Sequence, residues 1–228
     1  MTIGRWRIAV SAPILLALHV LLPATAGAAW PERPITIVVP YTPGGTVDLL
    51  ARRIGRDLTT AWGQPVVIDN KPGAGGSLGA EFVARAQPDG YTVLLTTNSP
   101  LTTNPFLYKS LGYDSQKDFE PIIVAGENSM LLVANPKLPA GTLKDLIELA
   151  KAKPGTLSAG TSGNGATTHM SLAEFNRLAG VKVEHVPYRG GVPSLTGAVS
   201  GEVQLTFLGQ YTKFENFAPE SYSDGVFR

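Results

Sequence analysis

Three glycine-bearing segments hold the residues most able to do chemistry: Pro43-Gly44-Gly45-Thr46, Pro72-Gly73-Ala74-Gly75-Gly76-Ser77 and Thr161-Ser162-Gly163-Asn164-Gly165. Glycine lets a backbone turn sharply and approach a ligand with no Cβ in the way. Where a helix follows such a turn, its first N–H groups are unpaired and its dipole presents a positive end, so the place suits an anion. Any one of these turns reads equally as a tight connection. Three in one chain, two in the first unit and one in the second, point to a cleft between units. His169 falls in the first turn of the helix expected after the third segment, where it either donates to a carboxylate or packs within the loop. Asp48 occupies the matching place behind Gly44-Gly45. An acid there satisfies N–H groups and the dipole; its other possible roles are to orient water or to repel the wrong ligand. Arg52 and Arg53 lie further along and read as surface or interdomain partners, whereas Arg189, beside Tyr188 and Gly190, sits in another turn that could face the cleft.

Two enzyme patterns nearly fit. Gly75-Gly76-Ser77-Leu78-Gly79 matches G-x-S-x-G, and Asp89, His169 and His185 follow in hydrolase order, so a secreted α/β serine hydrolase using Ser77 is the competing reading. The nucleophile elbow needs a strand running straight into the serine, and Asn70 to Ala74, with Pro72, intervene. A dinucleotide fingerprint fails because Leu78 stands where its third glycine belongs, and there is no G-K-[ST] of a P-loop. His19, His169 and His185 do not have metal-ligand spacing. No metal site is expected from these residues.

The elements that must position these loops follow an export signal. Arg5 and Arg7 precede the apolar run from Ile8 to Leu22, and Ala26-Gly27-Ala28 supplies small-x-small spacing, so residues 1–28 read as a cleaved signal peptide leading to the periplasm. Setting Arg5 and Arg7 aside from the 19 basic residues leaves 17 against 18 acidic ones. That balance argues against nucleic acid as a partner. With no cysteine there is neither a disulfide framework nor thiolate chemistry, so stability must come from an apolar core.

From Ile35 the pattern alternates between short β-branched runs and helical spacing. The expected order is a strand at 35–39, a helix carrying Val47, Leu50, Ala51, Ile54 and Leu58 and ending at Gly63, a strand at 66–68, a helix carrying Phe82, Val83 and Ala86, and a strand at 91–96. This β-α-β-α-β order predicts a parallel sheet. Residues 98–119 show no period, and strand signals return at 121–125 and 130–134. Thr142 with Asp145 reads as a capping box opening a helix. A strand at 157–161, a helix at 168–178, a strand at 181–186, a helix at 193–200 and a strand at 203–207 complete a second unit. The expected organisation is residues 29–124 as a first α/β lobe, 125–210 as a second, incomplete one, and 211–228 as an atypical tail without strand alternation.

These motifs together resemble the solute receptors of tripartite tricarboxylate transporters, the Bug or TctC-like family. The resemblance rests on Trp30-Pro31-Glu32-Arg33-Pro34-Ile35, Val39-Pro40-Tyr41-Thr42-Pro43-Gly44-Gly45-Thr46-Val47-Asp48 and Val67-Ile68-Asp69-Asn70-Lys71-Pro72-Gly73-Ala74-Gly75-Gly76. Pro88-Asp89-Gly90-Tyr91-Thr92, Ser162-Gly163-Asn164-Gly165 with His169, and Val186-Pro187-Tyr188-Arg189-Gly190 extend it. It implies a monomeric two-lobed periplasmic binding protein of type II-like fold, each lobe a sheet flanked by helices, closing on a small di- or tricarboxylate for the transporter's membrane components. It also implies a ligand gripped by loop amides, hydroxyls and ordered water, with no catalysis and no cofactor. By position it places Tyr41, Gly44, Gly45 and Asp48 in the first-lobe turn, and Thr97 and Asn98 at the mouth of the third strand. Ser162, Gly163, Gly165, His169 and Tyr188 would form the second-lobe wall. The resemblance stops at Phe207, so the C-terminal part of the fold is expected to be missing, folding or binding to be impaired, and a truncated remnant without function is the third reading.

Overall fold

The computed structural model describes residues 30–214; the proposed signal peptide and residues 215–228 of the proposed tail lie outside them. Strand β1 (Ile35–Val39) is buried along most of its length, as its run of β-branched residues requires, and lies between β2 (Val66–Asn70) and β3 (Thr92–Leu94), parallel to both. Helix α1 (Thr46–Trp62) crosses from β1 to β2 and buries Val47, Leu50, Ala51, Ile54 and Leu58 against Ile37 and Val39. A fully buried leucine or isoleucine contributes roughly 1.5–3 kcal/mol. Gly63 ends α1 in the left-handed conformation (φ 68°) and returns its N–H to the Thr59 carbonyl. A 3-10 turn at Ala74–Gly76 leads into α2 (Ser77–Ala84).

Residues 98–119 contain two one-turn helices, α3 (Ser99–Thr102) and α4 (Asn104–Leu107). Each has a proline in its first turn, where the missing N–H costs nothing, and each is too short to show a period. The apolar stretch 121–125 is not a strand: among the described residues no strand lies beside it, and Ile123 and Val124 are exposed while Ala125 joins the first core.

The second sheet has the order β4-β7-β5-β6. Its strands are β4 (Gly126–Ala134), β5 (Ser158–Thr161), β6 (Glu184–Pro187) and β7 (Leu205–Phe214), with α5 (Leu143–Ala152), α6 (Thr167–Ala179) and α7 (Gly191–Ser200) connecting them. Thr142 and Asp145 form the capping box of α5: the Thr142 hydroxyl accepts the Asp145 N–H (3.2 Å), and the Asp145 carboxylate accepts that of Thr142 (2.9 Å). Leu146, Ala150, Leu157, Leu172, Val183, Leu205 and Phe207 form the second core.

Several elements differ from the sequence-based expectation: α2 ends at Ala84, short of Ala86, β3 is confined to Thr92–Leu94, and β4 begins at Gly126, four residues before 130. Strand β6 starts three residues later than 181 because the Asn176 carboxamide takes both backbone groups of Val183 (2.9 and 3.1 Å), removing them from the ladder. Strand β7 runs past Phe207 and past residue 210 to Phe214, so the segment from Tyr211 does begin in a strand. The nine-residue β4 pairs with it antiparallel, and that ladder is made by backbone groups, which leave no alternation in side-chain type. Both sheets belong to one compact unit beginning at Arg33.

Candidate functional site

The glycine loops of the two sheets meet. A Cβ on Gly75, in the 3-10 turn, would fall 2.2 Å from the Asn164 carbonyl oxygen, and one on Gly165 would fall 2.1 Å from Asn104 Oδ1. A Cβ on Gly190 would fall 2.3 Å from Thr42 Oγ1. A neighbouring group approaches a backbone this closely only where the residue carries no side chain. Hydrogen bonds run across the same boundary. The Tyr108 hydroxyl donates to the Asn164 carbonyl (2.9 Å), Ser99 and Thr167 hydroxyls pair (2.9 Å), and the Thr167 hydroxyl lies 3.2 Å from Asn98 Oδ1. Thr46 Oγ1 donates to the Gly209 carbonyl (2.8 Å). Through these contacts the first turns of α1, α2, α6 and α7 lie where the sheets face each other, and the positive ends of four helix dipoles converge there.

Of the expected site residues, Gly44, Asn98, Gly163 and Gly165 approach the opposite sheet's loops, and several of the set are already engaged. Tyr41 is buried, its phenol 2.6 Å from the Thr97 hydroxyl and 3.4 Å from that of Thr96, and burial pushes its pKa up. Asp48 is buried under the first turn of α1. Its carboxylate accepts the Gly44 N–H (2.9 Å), two bonds from Arg52 (2.9 and 3.0 Å) and one from Asn70 (3.0 Å). Burial alone would raise its pKa, but the donors from Arg52, Gly44 and Asn70 hold it below the usual carboxylate value. Arg52 thus folds back onto its own helix instead of reaching another domain, and Arg53 pairs with Asp57.

In the third loop, the Ser162 N–H goes to Thr168 Oγ1 (2.9 Å), that of Gly163 to Thr161 Oγ1 (3.3 Å), and that of Gly165 to His169 Nδ1 (3.1 Å). The amides of Gly44, Ser162, Gly163 and Gly165, which glycine placement alone would offer to an anion, therefore have partners within their own loops. His169 accepts through Nδ1, so its remaining donor is Nε2–H, which has no hydrogen-bond partner among the described residues. Its ring stacks on His185, whose Nε2 lies 2.7 Å from Thr161 Oγ1. Burial lowers the pKa of both imidazoles, and that of His185, next to His169, falls to about 4. Both rings are neutral at pH 7.

Sequence reasoning did not single out Thr42, Asn104, Tyr108, Thr167 or the His185 stack. Glycine marks a close approach in a sequence, whereas the side chain that fills the space opposite carries no local signal. Thr42 Oγ1 and Asn104 Oδ1 are buried with no hydrogen-bond partner among the described residues. Ser77 accepts from Asn104 Nδ2 (2.7 Å) and lies 3.2 Å from the Tyr113 hydroxyl, which itself donates to the Pro100 carbonyl. A carboxamide and a phenol are not general bases at neutral pH, and Ser77 opens α2 behind the 3-10 turn instead of following a strand directly. An open groove of about 560 Å³ along α1 and β2, lined by Arg52, Arg56, Thr59 and Thr60 among others, contains none of the expected site residues.

The sequence profile described as "Tripartite tricarboxylate transporter family receptor" matches residues 50–214. The chain belongs to this family. The match carries the family beyond Phe207 to the end of β7. Protein BugT of Bordetella pertussis is 36% identical over 197 residues, which are 83% of this chain and 60% of BugT. Among solved structures, R. palustris Rpa4515 with adipate superposes with a TM-score of 0.77 at 40% identity, covering 79% of this chain and 60% of that one. MatC from Rhodopseudomonas palustris with bound malate gives 0.73 at 32% identity, covering 80% and 61%. The chain thus spans about 60% of the length of these family receptors. Over the matched span these structures share the helix-flanked, two-sheet arrangement described above.

Proposed function

We propose that this chain is a monomeric periplasmic receptor that captures a small di- or tricarboxylate and presents it to the membrane components of a tripartite tricarboxylate transporter. The observation that carries the reading is the convergence of four helix N-termini at the facing edges of the two sheets. Such a place stabilises negative charge without a buried cation. Of the basic side chains in these loops, Lys71 pairs with Asp69 and lies over Phe82, and Arg189 is exposed. The hydroxyls of Tyr41 and Thr97 and Nε2–H of His169 add neutral donors. Because four loop amides are paired internally, the carboxylate is met by the first-turn N–H groups of the helices and by these side chains. Adipate in one neighbour and malate in another support a carboxylate of four to six carbons as the ligand class.

A thermal-shift scan of the secreted chain against adipate, malate, citrate and the diamides of the first two tests this. A saturable rise in Tm with a carboxylate and none with its diamide is expected, because only a ligand that binds the native fold stabilises it. Equal shifts with acid and diamide would contradict anion recognition. Light scattering checks the monomer.

A further inference from the structure

We propose that the contact between Thr42 and Gly190 is the seat that sets how far the two sheets close on a ligand, with Thr42 as a positioning residue; this rests on the receptor reading above. Gly190 heads α7 with φ 162° and ψ 176°, an extended backbone that any residue adopts. Its backbone therefore does not ask for glycine, unlike Gly75, Gly163 and Gly165, which have φ values of 61°, 120° and 77°. What does ask for it is Thr42. A Cβ on Gly190 would lie 2.3 Å from Thr42 Oγ1, 3.0 Å from its Cγ2 and 3.1 Å from its Cβ. The neighbouring Gly191 has open space where its Cβ would go.

Thr42 belongs to the loop after β1, and Gly190 to the loop between β6 and α7, so the contact joins the two sheets directly. Beside it, a Cβ on Gly44 would rest 3.8 Å from Val192, an ordinary contact that leaves Thr42–Gly190 as the tight point of this pair of loops. Thr42 Oγ1 is buried against Gly190 without a hydrogen-bond partner among the described residues. A hydroxyl in that position gains partners when the loops separate, so the seat favours release as well as limiting approach. A methyl group at residue 190 would hold the loops apart, and a smaller residue at 42 would let them return.

The chain has no cysteine, so paired labels are simple to introduce. Cysteines at Thr60 on α1 and Lys151 on α5, both exposed and on opposite sheets, report the inter-sheet distance by pulsed electron paramagnetic resonance on the full chain without ligand. Gly190→Ala is expected to shift the distribution to longer distances, Gly191→Ala to leave it unchanged, and Thr42→Ala combined with Gly190→Ala to return it most of the way. Thr42→Leu, which wedges the same contact from the other side, is expected to reproduce the lengthening should Gly190→Ala fail to fold. In parallel titrations with adipate and malate, the Gly190→Ala chain is expected to bind about tenfold more weakly if its closed fraction falls to about a tenth. Unchanged distances in both wedge variants overturn the seat. So does a Thr42→Ala chain that binds more weakly at the parent distance, because Thr42 would then touch the ligand itself. If the distances respond as stated but no carboxylate binds the parent chain, the seat stands and the receptor reading fails.

Discussion

The imidazoles of His169 and His185 stack 3.9 Å apart and within 7° of parallel, directly behind Gly165, whose N–H His169 accepts. Both pKa values lie below the ordinary 6.5. The unfolded chain therefore takes up these protons more readily than the folded one. Stability from this pair is complete above about pH 6.5 and is lost as pH falls toward about 4. With screening by nearby solvent the loss is on the order of 1–2 kcal/mol. Urea unfolding at pH 7 and pH 4.5 measures it, and His185→Asn is expected to lose less over that interval. Equal losses in parent and variant would refute the assignment.

Asp48 holds the first loop from beneath through four hydrogen bonds. Asp48→Ala strands the Gly44 N–H, leaves Asn70 Nδ2 only its bond to the Tyr41 carbonyl, and leaves Arg52, which is about half exposed, without its partner. The expected cost is roughly 2–4 kcal/mol, below the upper range for fully buried pairs because Arg52 can turn to water. Urea unfolding reads it, and a loss under about 1 kcal/mol would show that the carboxylate is not what fixes the loop.

Much of this fold is legible in the sequence because local chemistry settles it. The Thr142–Asp145 box, the apolar stripe of α1 and the β-branched run of β1 each carry their own signal. The glycine loops are legible too, since positive φ and close approach both ask for glycine. What is not legible is who stands opposite. Asn176 shortens β6 through contacts seven residues away, β4 extends β7 by backbone pairing alone, and Thr42 meets Gly190 from 148 positions away. Nor does spacing reveal that Asp48, Thr161, Thr168 and His169 already occupy the loop amides.

Removing the α5 cap should be a local, additive loss. Thr142→Ala is expected to cost about 1 kcal/mol, measured as a lower urea midpoint with an unchanged m-value. A changed m-value would mean that the capping box does more than start one helix.

Ser77 is expected to be structural. Ser77→Ala removes the nearest acceptor of the buried Asn104 carboxamide, leaving it only the longer contacts to the Ala74 and Gly75 carbonyls, and should destabilise by about 1–2 kcal/mol. Background hydrolysis of p-nitrophenyl acetate should be the same in both chains. Turnover that disappears with the hydroxyl would establish the hydrolase reading instead.

The central claim is that helix N-termini, not a cationic side chain, recognise a carboxylate where the two sheets meet. Calorimetric titration of the chain and of its Arg189→Gln variant with adipate and malate tests it most directly. The account predicts one-site saturation with one of these acids at closely similar affinity in both chains. A cooperatively folded chain that binds neither acid, or binding that vanishes with Arg189, would contradict it.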